Sequence, residues 1–133
     1  MIVGEPGKLD LPEDARLLGK EEALQRVAAG DSLLDAGHYE AALISMWSAL
    51  EATIRRMLEE EDHSLGFLDS AHILNHAVVY GVLSRDDYGS LMKVRKYRNA
   101  VAHGFKISDT EFSAGYSAIK SVIEHLLEAE DES

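Results

Sequence analysis

From Tyr39 to about Glu60 the apolar residues fall three and four apart: Tyr39, Leu43, Met46, Trp47, Leu50, Ile54, Met57 and Leu58. That spacing lines one stripe of an α-helix, whereas a half-buried strand would alternate every second residue. Glu40, Glu51, Arg55 and Glu59 lie mostly off the stripe. Both prolines stand within the first twelve residues, so nothing after Pro12 is barred from helix. No segment shows convincing two-residue alternation. The chain therefore reads as all-α, an up-and-down helical bundle of about five helices, two of them short or kinked.

The other helices have clear punctuation. A first helix is expected from about Glu13 to Ala36, with Leu17, Leu24, Val27, Ala28 and Leu34 as its apolar stripe. Gly30-Asp31 should break or bend it and Gly37 should end it. A third, shorter helix is expected from about Leu68 to Tyr80, closed by Gly81. Ser84, with Asp87 three residues on, should cap a fourth from Arg85 to Ala102. Its Tyr88, Leu91, Met92 and Val94 should face inward, Lys93 and Lys96 outward, and Gly104 should stop it. Ser108 with Glu111 should cap the last helix, which carries Phe112, Tyr116, Ile119, Val122, Ile123, Leu126 and Leu127. Glycines and prolines before Asp14 predict a flexible lead over 1–14 and one helical domain over 15–130. Glu59-Glu60-Glu61-Asp62 reads as a solvated helix end, and Trp47 as core.

Composition narrows the function. The chain has 133 residues, no cysteine and a net charge of −11. Disulfides, thiolate metal sites and cysteine nucleophiles are excluded. That charge argues against broad duplex DNA binding, where phosphate contacts dominate affinity. No apolar run approaches the ~20 residues of a membrane span. The N-terminus has no long apolar run behind a basic lead-in, so no signal peptide is expected and the expected location is cytoplasmic.

The acid is unevenly placed. Tyr88 to Ser108 contains no carboxylate, where even scatter of the 24 acidic residues would put about four. The same stretch holds Lys93, Arg95, Lys96, Arg98 and Lys106. A local positive field in an acidic chain suits a phosphate or another anion. Cations near a helix C-terminus also favour its dipole, which accounts for two or three of these charges. Within the stretch, Arg98-Asn99 precedes His103. Arginine can grip a phosphate with two parallel hydrogen bonds, and histidine titrates near neutrality. Asn99 could orient either group or hold a 2′-hydroxyl. Five residues on a helix rotate a side chain by about 140° beyond a full turn, so Arg98 and His103 do not share a face. Two arrangements would join them: a helix that ends between them and swings His103 inward, or a second subunit across a two-fold axis. The plain structural alternative is a helix-end histidine bonding a carbonyl and an arginine paired to a carboxylate.

Arg98-Asn99-x-x-x-His103 resembles the arginine–polar–x-x-x–histidine signature of the HEPN superfamily, the higher eukaryote and prokaryote nucleotide-binding domains. Leu34 to Ala42, leading into Trp47-Ser48-Ala49-Leu50-Glu51, also resembles the opening helices of small bacterial members, and the likeness covers most of Gly19 to Glu128. The resemblance implies a metal-independent endoribonuclease, active as a homodimer, in a toxin–antitoxin or phage-defence setting. Arg98 would bind the scissile phosphate, His103 would act as general base or acid, and Asn99 would fill the polar position. Products would carry 2′,3′-cyclic phosphate and 5′-hydroxyl ends, with no cofactor. An antitoxin or nucleotidyltransferase partner is implied, although Phe105 stands where some family toxins carry the tyrosine that a nucleotidyltransferase modifies. Lys93, Arg95, Lys96 and Lys106 would be further phosphate contacts, on the charge argument alone. The alternatives are a non-catalytic module that binds nucleotide, RNA or protein, and a structural dimerisation domain.

Other chemistry has little footing. His72 and His76 share a helical face but lack a third ligand, and Asp69 to His72 and Glu60 to His63 only echo di-iron spacing, so no metal site is expected. Neither a Gly-x-Ser-x-Gly elbow nor a phosphate-binding glycine loop is present.

Overall fold

A computed structural model describes residues 9–60 and 68–132. Five helices occur among them: α1 (Lys20–Asp35), α2 (Tyr39–Glu59), α3 (Ser70–Val79), α4 (Arg85–Ala102) and α5 (Asp109–Glu132). They form an all-α bundle. The expected Glu61-Asp62 run, His63 and the first eight residues lie outside the described residues.

The centre is α2, which packs against all four other helices, as its wide apolar stripe requires. Leu43, Met46, Leu50, Ile54 and Leu58 are fully enclosed. They meet Ile73 and Leu74 of α3, Leu91 and Val94 of α4, and Ile119, Ile123 and Leu126 of α5 in one core. No described helix is long and apolar enough to cross a membrane.

The sequence expectations for α1 need three corrections. The helix begins at Lys20 rather than near Glu13. Gly19 is extended there (φ −74°, ψ 174°), and its N–H donates to the Glu22 carboxylate at 3.1 Å. Arg16 grips the same carboxylate with two bonds of 2.7 Å, so residues before Gly19 serve the cap instead of the helix. The helix is continuous through Gly30-Asp31. Its inner face is also rotated: Ala23 and Gly30 are buried, whereas Leu24 and Ala28 are exposed. Gly30 is needed at a close crossing, because a Cβ there would lie 3.2 Å from the Tyr116 hydroxyl and 3.3 Å from the Met46 methyl. On α2, Arg55 is buried rather than off the stripe.

The ends of α4 fall where expected. Ser84 Oγ accepts from the Asp87 N–H at 3.1 Å. At the far end, Gly104 N–H donates to the Val101 carbonyl (3.1 Å) and Phe105 N–H to that of Ala100 (2.9 Å). This is a Schellman close, with Gly104 in the left-handed region (φ +89°). Lys93 and Lys96 point outward and Leu91 and Val94 inward. The helix is thus fixed in both length and rotation, and with it every residue of the basic segment up to His103.

Candidate functional site

His103 is the C-cap of α4, the residue after Ala102, with near-helical backbone (φ −98°, ψ 14°). Its backbone N–H bonds the carbonyls of Asn99 and Ala100. Its side chain is exposed, and among the described residues its ring has no hydrogen-bond partner. The helix ends at Ala102, directly before His103, but the exposed ring is not swung inward, so that one of the two arrangements that would join Arg98 and His103 does not occur. In a single chain the two side chains leave α4 in different directions.

Arg98 is half-buried and donates from Nη1 to Asn99 Oδ1 at 3.0 Å. Among the described residues neither half of the plain structural alternative appears: the arginine is not paired to a carboxylate, and the histidine ring bonds no carbonyl. Asn99 orients Arg98 through a neutral group, which leaves the guanidinium's charge in place. Lys93, Lys96 and Lys106 are exposed. Arg95 is half-buried, and its Nε is enclosed without a hydrogen-bond partner among the described residues. It lies near Asp69, the N-cap of α3. Burial pushes the Asp69 carboxyl up, but hydrogen bonds with His72 and the nearby charges of His72 and Arg95 more than offset this, leaving it below its ordinary value. The basic segment therefore splits: Lys93 and Lys96 face solvent, Arg95 serves the α3–α4 junction, Arg98 faces inward, and His103 and Lys106 mark the helix end.

Arg98 lines a cleft of about 580 Å³ with the segment before α1, α1 and α2. Its other cationic walls are Arg16, Arg26 and Arg55, and its carboxylates are Glu51 and Glu59. Leu17, Leu18, Ile44, Trp47 and Ala52 supply apolar surface. Most of these charges are already engaged. Arg16 holds Glu22, whose carboxyl is pulled down to about 2 first by that bond and then by the Gly19 N–H. Glu51 accepts from the Trp47 indole (3.2 Å), from Arg55 (3.1 Å) and from Ser70. Arg26, by contrast, donates to Ser48 Oγ at 3.0 Å. Arg16, Arg26 and Arg55 were not singled out from the sequence, where they lie far from Arg98.

A second groove, of about 480 Å³, lies at the end of the bundle where the α1–α2 and α4–α5 turns meet. Lys106 lines it with His38, Tyr39 and Phe112, beside Glu40 and Asp109. On α3, His72 Nδ1 lies 2.7 Å from Asp69 Oδ1, and the His76 ring stacks over Tyr80. Among the described residues no three potential ligands gather as a metal site.

Comparison with protein-family models, curated proteins and solved structures finds no match to this chain. The functional reading rests on the residues themselves.

Proposed function

We propose that the chain is a metal-independent endoribonuclease of the HEPN type, cytoplasmic and active as a homodimer. The observation that carries this reading is the pairing of Arg98 with a neutral partner. In a chain of net charge −11, its guanidinium bonds the Asn99 amide at 3.0 Å and, among the described residues, no carboxylate. An arginine so held keeps its charge for an incoming anion. The exposed His103 ring at the end of the same helix supplies a group that can take up and release a proton. Because the two side chains diverge within one chain, the reaction needs Arg98 of one subunit to meet His103 of its partner across a two-fold axis.

The steps then balance without an added reagent. Arg98 binds the non-bridging oxygens of the scissile phosphate. His103 removes the proton of the adjacent 2′-hydroxyl, and the freed oxygen attacks phosphorus. The P–O5′ bond breaks, leaving a 2′,3′-cyclic phosphate, and the departing 5′-oxygen takes up a proton. Arg98 stabilises the extra charge on phosphorus as the bond forms. A toxin–antitoxin or phage-defence setting, with an antitoxin as partner, belongs to the same proposal.

The test is cleavage of a mixed RNA pool in EDTA, wild type beside His103→Ala and Arg98→Ala. We expect cyclic-phosphate ends from the wild type and a loss of about 10²–10⁴ for His103→Ala. Cutting that survives both substitutions would reject the assignment. A second reading, a non-catalytic module that binds RNA or nucleotide, is favoured by the divergence of Arg98 and His103 in one chain. It predicts RNA binding, lost with Arg98→Ala, and no cutting by folded protein.

A further inference from the structure

The cleft that Arg98 enters has a composition that the motif does not explain. Four of the chain's seven arginines line it, against two glutamates. In so acidic a chain, that concentration needs a cause. Ion pairing accounts for half of it: Arg16 is taken by Glu22, and Arg55 by Glu51. Arg26 and Arg98 remain. Among the described residues their side chains hydrogen-bond only the neutral groups of Ser48 and Asn99. Arg26 also feels Glu22, one turn earlier on α1, but Arg16 already grips both oxygens of that carboxylate.

The rest of the lining is apolar and partly open. Ile44 is 39% exposed, and Leu9 and Leu11 are 38% and 45% exposed beside it. Trp47, at 2%, stands behind them with its indole N–H fixed on Glu51. The volume lies within the range of small-ligand sites, roughly 300–1,000 Å³. A fitting occupant has an anionic end for two guanidinium groups and a flat, half-apolar body for the open surface of Ile44, Leu9 and Leu11. A nucleotide unit has both. A duplex does not enter an intrachain cleft of this size, whereas a single strand can splay one base into it.

We propose that this cleft seats one nucleotide of a single-stranded RNA beside the scissile bond, its base against Ile44 in front of Trp47 and its phosphate on Arg26. The proposal rests on the ribonuclease reading and extends it: Arg98 serves both the cleft and the reaction, and Arg26 becomes a substrate-positioning residue. The motif does not contain Arg26, and α1 carries it into the site from 72 positions away.

Trp47 is the only tryptophan, so its emission reports on the cleft. The probe is a fully 2′-O-methylated RNA heptamer, which binds as single-stranded RNA but lacks the attacking hydroxyl. We expect a saturable change in Trp47 emission. Arg26→Gln should raise Kd about tenfold, as loss of one charge-assisted contact does. Arg26→Lys, which keeps the charge without the planar fork, should fall between. Arg85→Gln makes the same charge change at the exposed start of α4 and should leave Kd within about twofold. Circular dichroism of each variant checks folding. Absence of an emission change on binding, or equal weakening by Arg26→Gln and Arg85→Gln, overturns the proposal. The two readings fail separately. RNA cutting whose KM ignores Arg26→Gln removes the cleft and leaves the nuclease. Trp47-reported binding by a chain that does not cut removes the nuclease and leaves the cleft.

Discussion

Arg56 joins three parts of the molecule, and its removal tests how the cleft is held. Its Nε and Nη2 donate to the two oxygens of Glu130 on α5, at 3.1 and 2.9 Å. Nη1 donates to the Leu18 carbonyl at 2.9 Å, and Nη2 also reaches Thr53 Oγ1 at 3.2 Å. The two charged side chains are only 15% and 14% exposed. A solvated surface pair contributes about 0–1 kcal/mol, and breaking a fully buried pair costs about 3–5 kcal/mol. This pair is mostly buried and two-pronged, so Arg56→Met, which keeps the apolar stem, should cost about 3 kcal/mol. Unfolding entropy of about 2.1 cal/mol/K per residue, over 133 residues, makes each kcal/mol worth about 3.5 °C. The expected fall in Tm is therefore about 10 °C.

Urea and thermal unfolding of Arg56→Met, Glu130→Gln and the double variant measure the coupling directly. Arg56→Met should lose more than Glu130→Gln, because it also releases Leu18 and Thr53, and the coupling should be about 1–2 kcal/mol. Leu18 lies in the cleft wall, so its release has a local readout: tryptic cutting after Arg16 should quicken several-fold in Arg56→Met. A loss below about 1 kcal/mol with no measurable coupling would place the pair among solvated surface pairs and refute the reasoning.

Gly104→Ala tests the backbone that presents His103. A Cβ there meets nothing within 4 Å, so the expected loss, about 1 kcal/mol by chemical denaturation, comes from the left-handed backbone alone, and RNA cutting should fall with it. Asp31 tests the α1–α5 contact by pH. Burial pushes its carboxyl up, but hydrogen bonds from Tyr116 (2.8 Å) and Lys120 (3.0 Å) more than offset this and hold it below its ordinary value of 3.8. A carboxyl lowered on folding adds stability above its unfolded value and loses it as pH falls through the folded one. Asp31→Asn should therefore cost stability at pH 7 and flatten its decline below about pH 4; with the side chain 39% exposed, the cost stays near 1 kcal/mol or less.

Elements whose limits are set by local chemistry were legible in the sequence. The bounds of α4 follow from Ser84 and Gly104, and both act within their own turn. The inner stripe of α5 follows from bulk, since Phe112, Tyr116, Ile119, Val122, Ile123, Leu126 and Leu127 are all buried. The inner face of α1 escaped because it is made of small residues. Counting hydrophobic mass favours Leu24, but a close crossing with α2 and α5 favours Ala23 and Gly30, which let the backbones approach. The start of α1 escaped because Arg16 and Glu22 settle it by a bond across six residues. At α3 the cap is Asp69, whose carboxylate accepts the His72 N–H, so the helix starts at Ser70 rather than Leu68.

The candidate site divides along the same line. Arg98, Asn99 and His103 are neighbours in sequence, so their type and spacing were readable, and the Arg98–Asn99 bond is local. The cleft beside them is tertiary, yet one signal for it was present. Trp47, Glu51, Arg55 and Glu59 are four apart, a single row along α2, and all four line the cleft. Measured by hydropathy, Trp47 belonged to the apolar stripe, and Glu51, Arg55 and Glu59 looked like its solvated edge. The row's physical meaning depends on Arg55 being buried, which hydropathy along the helix does not show. Arg56, the next residue, leaves the helix about 100° away and turns to Glu130 and Leu18. Two adjacent arginines of one type thus do different work. Arg55 holds the charged row of the cleft in place, and Arg56 holds the wall opposite it. A sequence shows both as the same pair of charges, and the one-residue step around α2 separates the residue that braces the cleft lining from the residue that ties α2 to α5.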